Sequence, residues 1–372
     1  MPDSTRIVGL DVHRDTIAIA VAPLVGEIEL ITELPHHLPK VRKFFDKLLA
    51  DGPVRACYEA GGCGYGLQRA LTSWGVSCEV IAPSLIPRKA GDRRKTDQRD
   101  AMNLATLYRG GQLTPVRVPT EAEERVRGLT RARQAFTSDL HVSKQHVLKF
   151  LLLRGHVFRG GKVAWTKIFR DWLVNLIPTL HPLDQAVLSA HLAVLEQKQL
   201  LRASLDRQIE QVAKEEPYQA VVSRLRCLRG IDTLTALSLV AEIGDIKRFE
   251  TPRRLMGYLG LNVSERSSGL TERRGGITKA GNSRCRRLLV EAAWNYRHAP
   301  KDSEKIRKRR EGQPADALAS AVRAQQRLHQ RFVRLLERMP SQKAVTAVAR
   351  ELVGFVWAQM QGTPEALMAK TR

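Results

Sequence analysis

The sequence predicts an α/β domain at the amino terminus, followed by a chain that is almost entirely helical. Short apolar runs of strand length alternate with helical spacings through the first third of the chain. Prolines bracket residues 115–119 as in a linker, and from residue 121 apolar residues recur at helical spacing. We therefore expect three parts, an α/β domain at 1–119, a helical or coiled-coil region at 120–220 and a mostly helical domain at 221–372.

The amino-terminal domain is expected to contain three strands, a helix, a strand, a helix, a strand and a final helix. Predicted strands cover residues 7–10, 16–21, 27–34, 54–58 and 78–82, and predicted helices cover 41–49, 67–74 and a segment that begins at 97. The first strands follow one another with short turns, so they should be antiparallel. The later strands are separated by helices, so they should join the sheet by crossover connections.

Carboxylates recur where these elements end or begin. Asp11 follows the first strand, Glu59 follows the fourth, and Asp97 and Asp100 share one face of the last helix. Ligands of open α/β sheets bind beyond the carboxyl ends of the strands, so the four side chains are expected to converge. Convergent carboxylates require cations or bases nearby. Taken singly, each also fits a helix cap or a solvated strand end.

Composition favours a polyanionic partner. The chain has 372 residues with 61 Lys and Arg against 38 Asp and Glu, a net charge of +23. Nucleic acid is the simplest partner for an excess of positive charge that is spread along the whole chain. No apolar run is long enough to span a bilayer, and Met1–Ser4 does not begin a signal peptide. Five cysteines without a CxxC pair fit reduced cytoplasmic thiols and argue against zinc.

Three segments of the amino-terminal domain resemble the DEDD-type insertion-sequence transposases. They are Gly9-Leu10-Asp11, Tyr58-Glu59-Ala60-Gly61 and Lys95-Thr96-Asp97-Gln98-Arg99-Asp100-Ala101. The resemblance implies a ribonuclease-H-like (RuvC-like) fold in which Asp11, Glu59, Asp97 and Asp100 are catalytic and bind Mg²⁺. It also implies a second domain that carries a serine, and guidance by a structured noncoding RNA. The cations expected to contact nucleic acid here are Arg93, Arg94, Lys95 and Arg99.

The carboxy-terminal part resembles the second domain of the same family. A polar stretch, Ser264–Gly269, precedes the basic segment Arg273–Asn282. The family's nucleophile is the serine directly before the glycine, which implies Ser268 rather than Ser267. A serine on a glycine-containing loop beside cations is also chemically suited to attack phosphorus. Further cations expected to contact nucleic acid are Arg266, Arg273, Arg274, Lys279, Arg284, Arg286 and Arg287.

Two long apolar stripes lie between these domains, one over residues 126–150 and one over 188–212. They predict two long helices, which form an antiparallel hairpin, a coiled coil between subunits or a bundle within one chain. The aromatic residues between them, Trp165, Phe169 and Trp172, are interpreted as core rather than as stacking platforms for bases.

Two further motifs are ambiguous from sequence. Leu225–Ile246 resembles a helix-hairpin-helix, but Asp232 replaces the usual second glycine and would repel a phosphate there. We therefore predict that Asp232 caps the second helix. The basic run at 300–310 fits either a grip on nucleic-acid backbone or a solvated face.

These observations, with the resemblance, predict an insertion-sequence transposase that acts as an RNA-guided, Mg²⁺-dependent serine recombinase. A covalent seryl–DNA intermediate would conserve bond energy, and no P-loop is present. Expected partners are donor and target DNA, a structured guide (bridge) RNA and further copies of the chain as a dimer or tetramer, in the bacterial cytoplasm at the nucleoid and without a membrane. The alternatives are a RuvC-like metal-dependent junction nuclease and a non-enzymatic nucleic-acid-binding protein.

Overall fold

A computed structural model describes residues 4–87, 96–161, 164–265 and 273–362, with the backbone alone for Arg274. The chain forms two compact units, Met1–Pro119 and Thr120–Arg372. A further division near residue 220 stays a prediction. Within the described ranges, no helix combines the length and the apolar character that crossing a membrane requires.

The first unit is a five-stranded mixed sheet with helices. Its elements are β1 (Arg6–Val12), β2 (Thr16–Pro23), β3 (Leu30–Pro35), α1 (Leu38–Asp51), β4 (Val54–Glu59), α2 (Gly66–Ser73), β5 (Ser77–Ile81) and α3 (Asp97–Arg109). The strand order is β3-β2-β1-β4-β5. The pairs β1/β2 and β2/β3 are antiparallel, whereas β1/β4 and β4/β5 are parallel. The predicted element order and sheet type are thus confirmed.

Burial explains why these strands could be recognised. The apolar runs of β1 and β2 lie in the centre of the sheet and are buried on both faces. The edge strand β3 has only partly buried and exposed residues, and it begins at Leu30 rather than at the predicted Glu27. The error arises because Gly26 has a left-handed φ of 123° and delays the strand.

The predicted linker at 115–119 is partly wrong. The Val116 N–H donates to the Val80 carbonyl at 2.7 Å, and the Ala82 N–H donates to the Thr114 carbonyl at 3.0 Å. The segment therefore extends the sheet beside β5, where it protects an otherwise open edge. The side chains of Val116 and Val118 also pack on the core of the unit.

Helix α3 lies unusually close to the sheet, at Gly9 of β1. A Cβ atom on Gly9 would stand 2.2 Å from the Ala101 carbonyl oxygen and 2.4 Å from the Ala105 amide nitrogen. Buried alanines on both surfaces, among them Ala18 and Ala20 of β2, complete this contact. The absence of side-chain volume lets α3 approach, so the first residue of α3 comes near the carboxyl end of β1.

The second unit is helical apart from one short two-stranded sheet. Its elements are α4 (Glu121–Leu153), α5 (Lys167–Leu176), α6 (Pro182–Val212), α7 (Gln219–Arg226), α8 (Thr233–Ile243), α9 (Pro252–Tyr258), β6 (Val263–Glu265), β7 (Arg274–Ile277), α10 (Ser283–Ala293), α11 (Glu304–Arg310), α12 (Ala315–Leu336) and α13 (Ser341–Gln361). Helices α7 to α10 with α12 and α13 enclose the main core.

The two long helices pair as an antiparallel hairpin within one chain. Arg133 of α4 contacts Asp206 of α6 at 2.7 Å, whereas Arg154 near the other end of α4 contacts Asp184 at 3.0 Å. A helical pairing between subunits stays untested. At the far end of the hairpin, Phe169 is buried and packs with the rings of Trp165 and Trp172, so this cluster is core as predicted.

The predicted succession of a helix, a turn and a second helix is present at α7 and α8. Helix α7 ends at Arg226, and α8 begins at Thr233. The Asp232 carboxylate accepts a hydrogen bond from the Thr235 N–H at 2.8 Å, so Asp232 is the predicted N-cap.

Candidate nucleic-acid and metal site

Three side chains of the first unit meet beyond the carboxyl end of β1. Asp11 is the penultimate residue of β1, His13 lies in the following turn, and Asp97 is the first residue of α3. The His13 Nε2 atom lies 3.2 Å from an Asp11 carboxylate oxygen and 3.5 Å from an Asp97 carboxylate oxygen. One ligand atom from each of the three residues lies within 4.8 Å of the others. We call this group the acidic cluster.

Local structure positions each member of the acidic cluster. The Thr96 side chain caps α3 by accepting a hydrogen bond from the Arg99 N–H, so Asp97 stands in the first helical turn. Asp11 is held by the sheet, where it pairs with Ala18 of β2. The side chains of His13 and Asp97 are about half exposed, at 49% and 52%, whereas Asp11 is only 18% exposed. Solvent and ligands can therefore reach the cluster.

Of the other two predicted carboxylates, Asp100 acts on Asp11, whereas Glu59 is placed only by the register of the sheet. Asp100 is near enough for its charge to raise the pKa of Asp11. Glu59 is the exposed last residue of β4, and the register pairs Leu10 of β1 with Tyr58 of β4. The next residues, Asp11 and Glu59, therefore occupy matching positions on neighbouring parallel strands, which are about 4.8 Å apart. Glu59 is not one of the three residues whose ligand atoms lie together.

The electrostatics of the acidic cluster fit a cation. Burial raises the pKa of the Asp11 carboxyl above its ordinary value, His13 opposes this rise, and the charges of Asp100 and Asp97 add to it. Ionisation of Asp11 is thus opposed by partial desolvation and by the neighbouring carboxylates. A divalent metal ion would relieve both costs, and carboxylate oxygens are the donors that such ions prefer.

His13 was missed by the sequence analysis, in which it falls in the short turn between the predicted strands at 7–10 and 16–21. The turn is real, but it aims the imidazole at both aspartates. A histidine two residues after a carboxylate at a strand end was the available signal. Imidazole is a common ligand for divalent metals other than magnesium and calcium.

The predicted nucleophile Ser268 lies outside the described residues, as do Arg93, Arg94, Lys95 and Arg266. The two ends of the segment that carries Ser268 are described. Strands β6 and β7 pair antiparallel, with Glu265 opposite Arg274. The described residues on either side of the segment therefore lie on two paired strands.

The side chain of Arg274 is likewise outside the described part of the chain. The remaining predicted cations fall into two groups. Arg99, Arg273, Lys279 and Arg284 are exposed. The guanidinium of Arg286 instead donates to the carbonyls of Leu259 and Ala280, at 2.8 and 2.9 Å. Arg287 donates to Gln134 and Glu291, at 2.7 and 2.6 Å. These two arginines hold the fold, and their contact with nucleic acid stays a prediction.

A tight glycine contact fixes the start of α10 beyond β7. Gly281 has a left-handed φ of 66°, and a Cβ there would stand 1.9 Å from the Tyr258 carbonyl oxygen. Asn282 then caps α10 by accepting from the N–H groups of Arg284 and Cys285, both at 3.0 Å. The exposed Arg284 thus stands at a firmly anchored helix end.

A buried carboxylate, Glu242, was also missed by the sequence analysis. Its side chain is only 3% exposed, and it accepts two hydrogen bonds from Arg131, at 2.7 and 2.8 Å, and one from Asn282 at 2.9 Å. Burial alone would raise the pKa of Glu242, but the bonds from Arg131 and Asn282 outweigh it, so the pKa is lowered. The group ties α8 to α4 and α10. The signal was an isolated glutamate in an apolar helix.

Comparison with known proteins assigns both halves of the chain. The model described as "Transposase IS116/IS110/IS902 family" matches residues 222–308. The DEDD model of the IS110 group, described as "Transposase", matches residues 8–154, which include the acidic cluster. The DEDD domain points to dependence on a divalent metal.

Whole-chain relatives agree with these matches. A protein of Sinorhizobium fredii that is named as a transposase is 42% identical over 355 residues, which are 94% of this chain and 87% of the relative. The transposase for insertion sequence element IS1533 of Leptospira borgpetersenii is 36% identical over 87% of this chain and 95% of its own. The transposase for insertion sequence element IS1111A of Coxiella burnetii is 25% identical over 77% of each chain. The chain therefore belongs to the IS116/IS110/IS902 family of insertion-sequence transposases and is a DNA-modifying enzyme, which excludes the non-enzymatic alternative.

Proposed function

We propose that this transposase is an RNA-guided, Mg²⁺-dependent serine recombinase that cuts and exchanges DNA strands through a covalent seryl–DNA intermediate. The meeting of Asp11, His13 and Asp97 at one sheet edge is the observation that carries the metal-dependent part of this proposal. Family membership and the net charge of +23 support action on nucleic acid.

The residues proposed to hold the metal are Asp11, Glu59, Asp97 and Asp100, with His13 as a further neighbour. When bound, the ion supplies Lewis-acid stabilisation of charge on the scissile phosphate. The protein's own contribution is rigid placement: β1, β4 and the capped start of α3 fix the carboxylates before DNA arrives. The His13 imidazole lies against both aspartates, with its Nε2 atom 3.2 Å from an Asp11 oxygen and 3.5 Å from an Asp97 oxygen.

Ser268 is proposed as the nucleophile. Its Oγ forms a bond to phosphorus while one phosphorus–oxygen bond of the DNA strand breaks. The serine proton passes to solvent, and the released strand end takes up a proton to become a hydroxyl. Rejoining reverses this step, as a strand-end hydroxyl attacks the seryl phosphodiester and frees the serine. Arg273 and Lys279, which follow Ser268 in the sequence and are exposed, support charge stabilisation.

The proposed partners are donor DNA, target DNA and a structured guide RNA, with the enzyme acting as a dimer or tetramer in the bacterial cytoplasm at the nucleoid. The positive charge supports the RNA, because the excess of 61 basic over 38 acidic residues is spread along the chain. Assembly is proposed because the family resemblance implies that the carboxylates of one subunit face the serine of another.

One experiment tests the covalent chemistry. The purified protein is incubated with a target duplex, its co-purifying RNA and Mg²⁺, and the linked residue is mapped by peptide mass spectrometry. We expect linkage at Ser268, no adduct from Ser268→Ala, and retained adduct from Ser267→Ala. Linkage at Ser267, or strand exchange by Ser268→Ala, contradicts the assignment. Full-rate exchange after removal of the RNA contradicts the guide role.

The second candidate function is a RuvC-like junction nuclease that uses the acidic cluster and water. The cluster favours it because three acidic or imidazole ligands suffice for metal-assisted hydrolysis without a serine. Cleavage that requires Mg²⁺ and leaves no protein–DNA adduct would select this candidate.

A further inference from the structure

A cavity of about 520 Å³ lies in the second unit, and none of its lining residues belongs to the serine segment or to the acidic cluster. It is bordered by α4 and α6 on one side and by α7, the start of α8 and α11 on the other. Five cations line it, and they are Arg133, Arg226, Lys305, Lys308 and Arg309. We call it the basic cavity. Its volume lies within the range typical of ligand sites.

Two of the five cations already have carboxylate partners. Arg133 pairs with Asp206 at 2.7 Å, and Lys308 pairs with Glu304 at 2.8 Å. The other three, Arg226, Lys305 and Arg309, face the cavity with only two further carboxylates on its wall, Glu210 and Asp232. Asp232 is committed to its helix cap. The wall therefore keeps an excess of positive charge.

Arg226 shows that the protein does not itself satisfy every cation on the wall of the basic cavity. Its Nε–H is buried and has no hydrogen-bond partner in the described part of the chain. A buried donor without an acceptor costs free energy, so such donors are normally paired. Burial and the nearby charge of Arg226 lower the pKa of Arg309, although the charge of Asp232 partly opposes this. Two guanidiniums held close together need an anion between them or beside them.

We propose that the basic cavity binds a backbone phosphate of a nucleic-acid strand, with Arg226, Lys305 and Arg309 as its donors. The inference rests only on the nucleic-acid-binding part of the proposed function. Guanidinium forks match the oxygens of a phosphodiester, which makes arginine pairs suited to this ligand. Asp232 keeps the anion away from the amino terminus of α8, so the phosphate lies on the side of α7 and α11.

This proposal resolves the basic run at 300–310 residue by residue. Lys305, Lys308 and Arg309 line the cavity, whereas Arg310 is buried and donates to Asp302 and to the Cys227 carbonyl, at 2.9 and 3.2 Å. Arg307 is exposed on the same helix and does not line the cavity. One short helix thus contains ligand-facing, structural and solvated cations.

The test measures affinity by fluorescence anisotropy across a salt series, with single-stranded DNA, duplex DNA and RNA probes of one sequence. Lys305→Gln and Arg309→Gln should each weaken binding about tenfold for at least one probe. The slope of log affinity against log salt should fall by about 0.7 to 0.9 for each phosphate that the variant no longer neutralises. Arg226→Gln should show the same weakening, and Arg226→Lys, which restores the charge, should recover part of it.

Arg307→Gln is the matched control, because it removes one charge from the same helix outside the cavity. It should change affinity by less than about threefold, as a surface charge does. Weakening confined to the RNA probe identifies a guide strand, and weakening confined to a DNA probe identifies a substrate strand. Equal effects of Arg307→Gln and the cavity variants on every probe overturn the proposal.

Failure of the cavity and failure of the recombinase proposal are distinguishable. Absence of a covalent adduct or of a co-purifying RNA would refute the recombinase, while the DNA probes would still judge the cavity. Thermal unfolding of each variant, measured without nucleic acid, separates reduced affinity from reduced folding. Arg309→Gln is most informative if its unfolding temperature equals that of Arg307→Gln.

Discussion

Two carboxylate groups in this protein have opposite electrostatic settings. In the first unit, Asp11 lies among Asp97, Asp100 and His13, and its pKa is raised by burial and by the like charges. In the second unit, Glu242 is buried against Arg131 and Asn282, and its pKa is lowered because their hydrogen bonds outweigh burial. Neighbouring groups of the fold thus stabilise the charge of Glu242, whereas burial and like charges oppose the charge of Asp11.

The comparison separates a carboxylate that is paired within the fold from one that is proposed to bind a metal. Burial by itself does not distinguish them, since both side chains are largely removed from water. The sign of the neighbouring charges distinguishes the two carboxylates. A carboxylate paired with guanidinium stabilises the fold, whereas clustered carboxylates store repulsion that ligand binding relieves.

The largest expected effect comes from neutralising the acidic cluster. Asp11→Asn and Asp97→Asn should each lower the rate of Mg²⁺-dependent strand cleavage by about 1,000-fold, because each removes a charged donor from the site. The measurement is single-turnover cleavage of a labelled duplex. Asp15→Asn is the control, since Asp15 is an exposed neighbour that pairs with Arg14 at 2.8 Å. Activity in Asp97→Asn equal to that of Asp15→Asn would remove Asp97 from the site.

The next effect tests whether the close packing of α3 is what brings Asp97 to Asp11. Gly9→Ala would place its Cβ 2.2 Å from the Ala101 carbonyl, so α3 or β1 must move. We expect a loss of about 3 kcal/mol in the free energy of unfolding, together with weaker metal binding. Denaturant unfolding and calorimetric metal titration measure the two. Gly66→Ala, at a helical position with open space around it, should leave both nearly unchanged.

The third prediction concerns Glu242, the buried carboxylate that accepts hydrogen bonds from Arg131 and Asn282. Glu242→Gln should reduce the free energy of unfolding by about 2 kcal/mol, because it removes a buried charge partner of Arg131. The figure lies below that for a fully buried pair, since the Arg131 side chain is 47% exposed and can turn to water. Glu250→Gln, at an exposed position nearby, is the control and should change stability by less than about 0.5 kcal/mol.

The pH dependence follows from the lowered pKa of Glu242. The stabilisation by Glu242 is present above the unfolded-state pKa of about 4.5 and is lost as the pH falls through the lower folded-state value. Acid unfolding curves of the native chain and of Glu242→Gln should therefore converge at low pH and separate toward neutral pH. Parallel curves across this range would show that Glu242 is not the responsible group.

The smallest effect is a gain in stability. Asp11→Asn removes one of several clustered carboxylates, so in the absence of metal it should raise the free energy of unfolding by about 0.5 to 1 kcal/mol. Added Mg²⁺ should stabilise the native chain and leave the variant unchanged. A variant less stable than the native chain without metal would show that Asp11 has a structural role like that of Glu242.

Local sequence patterns were sufficient for the sheet and for the helix that carries Asp97. The strands of the first unit are buried apolar runs, and α3 begins at a capping threonine, so each is encoded within a few residues. Contacts between residues that are distant in the sequence were harder to predict. Glu242 lies 111 residues from Arg131 and 40 from Asn282, and no local pattern links them.

Other features were not predicted because they depend on the geometry of the folded chain. His13 falls in a predicted turn, but its 3.5 Å contact with Asp97 requires α3 to lie close to β1, and the small side of β1 at Gly9 allows that approach. The pairing of Thr114 and Val116 with β5 was missed because prolines on both sides indicated a linker. A single sequence shows which residues are polar and which are small, but the distances between them come from the packed fold.

The helical hairpin of α4 and α6 has a mechanical consequence. Val126 near the start of α4 belongs to the main core, and Val147 belongs to the separate aromatic core. The stretch of helix between them is roughly 30 Å long. A stiff arm of this length acts as a lever, so a tilt of about 5° at its base carries the aromatic tip through roughly 3 Å. A small change of packing around Val126 would therefore move the aromatic tip by about the length of one hydrogen bond.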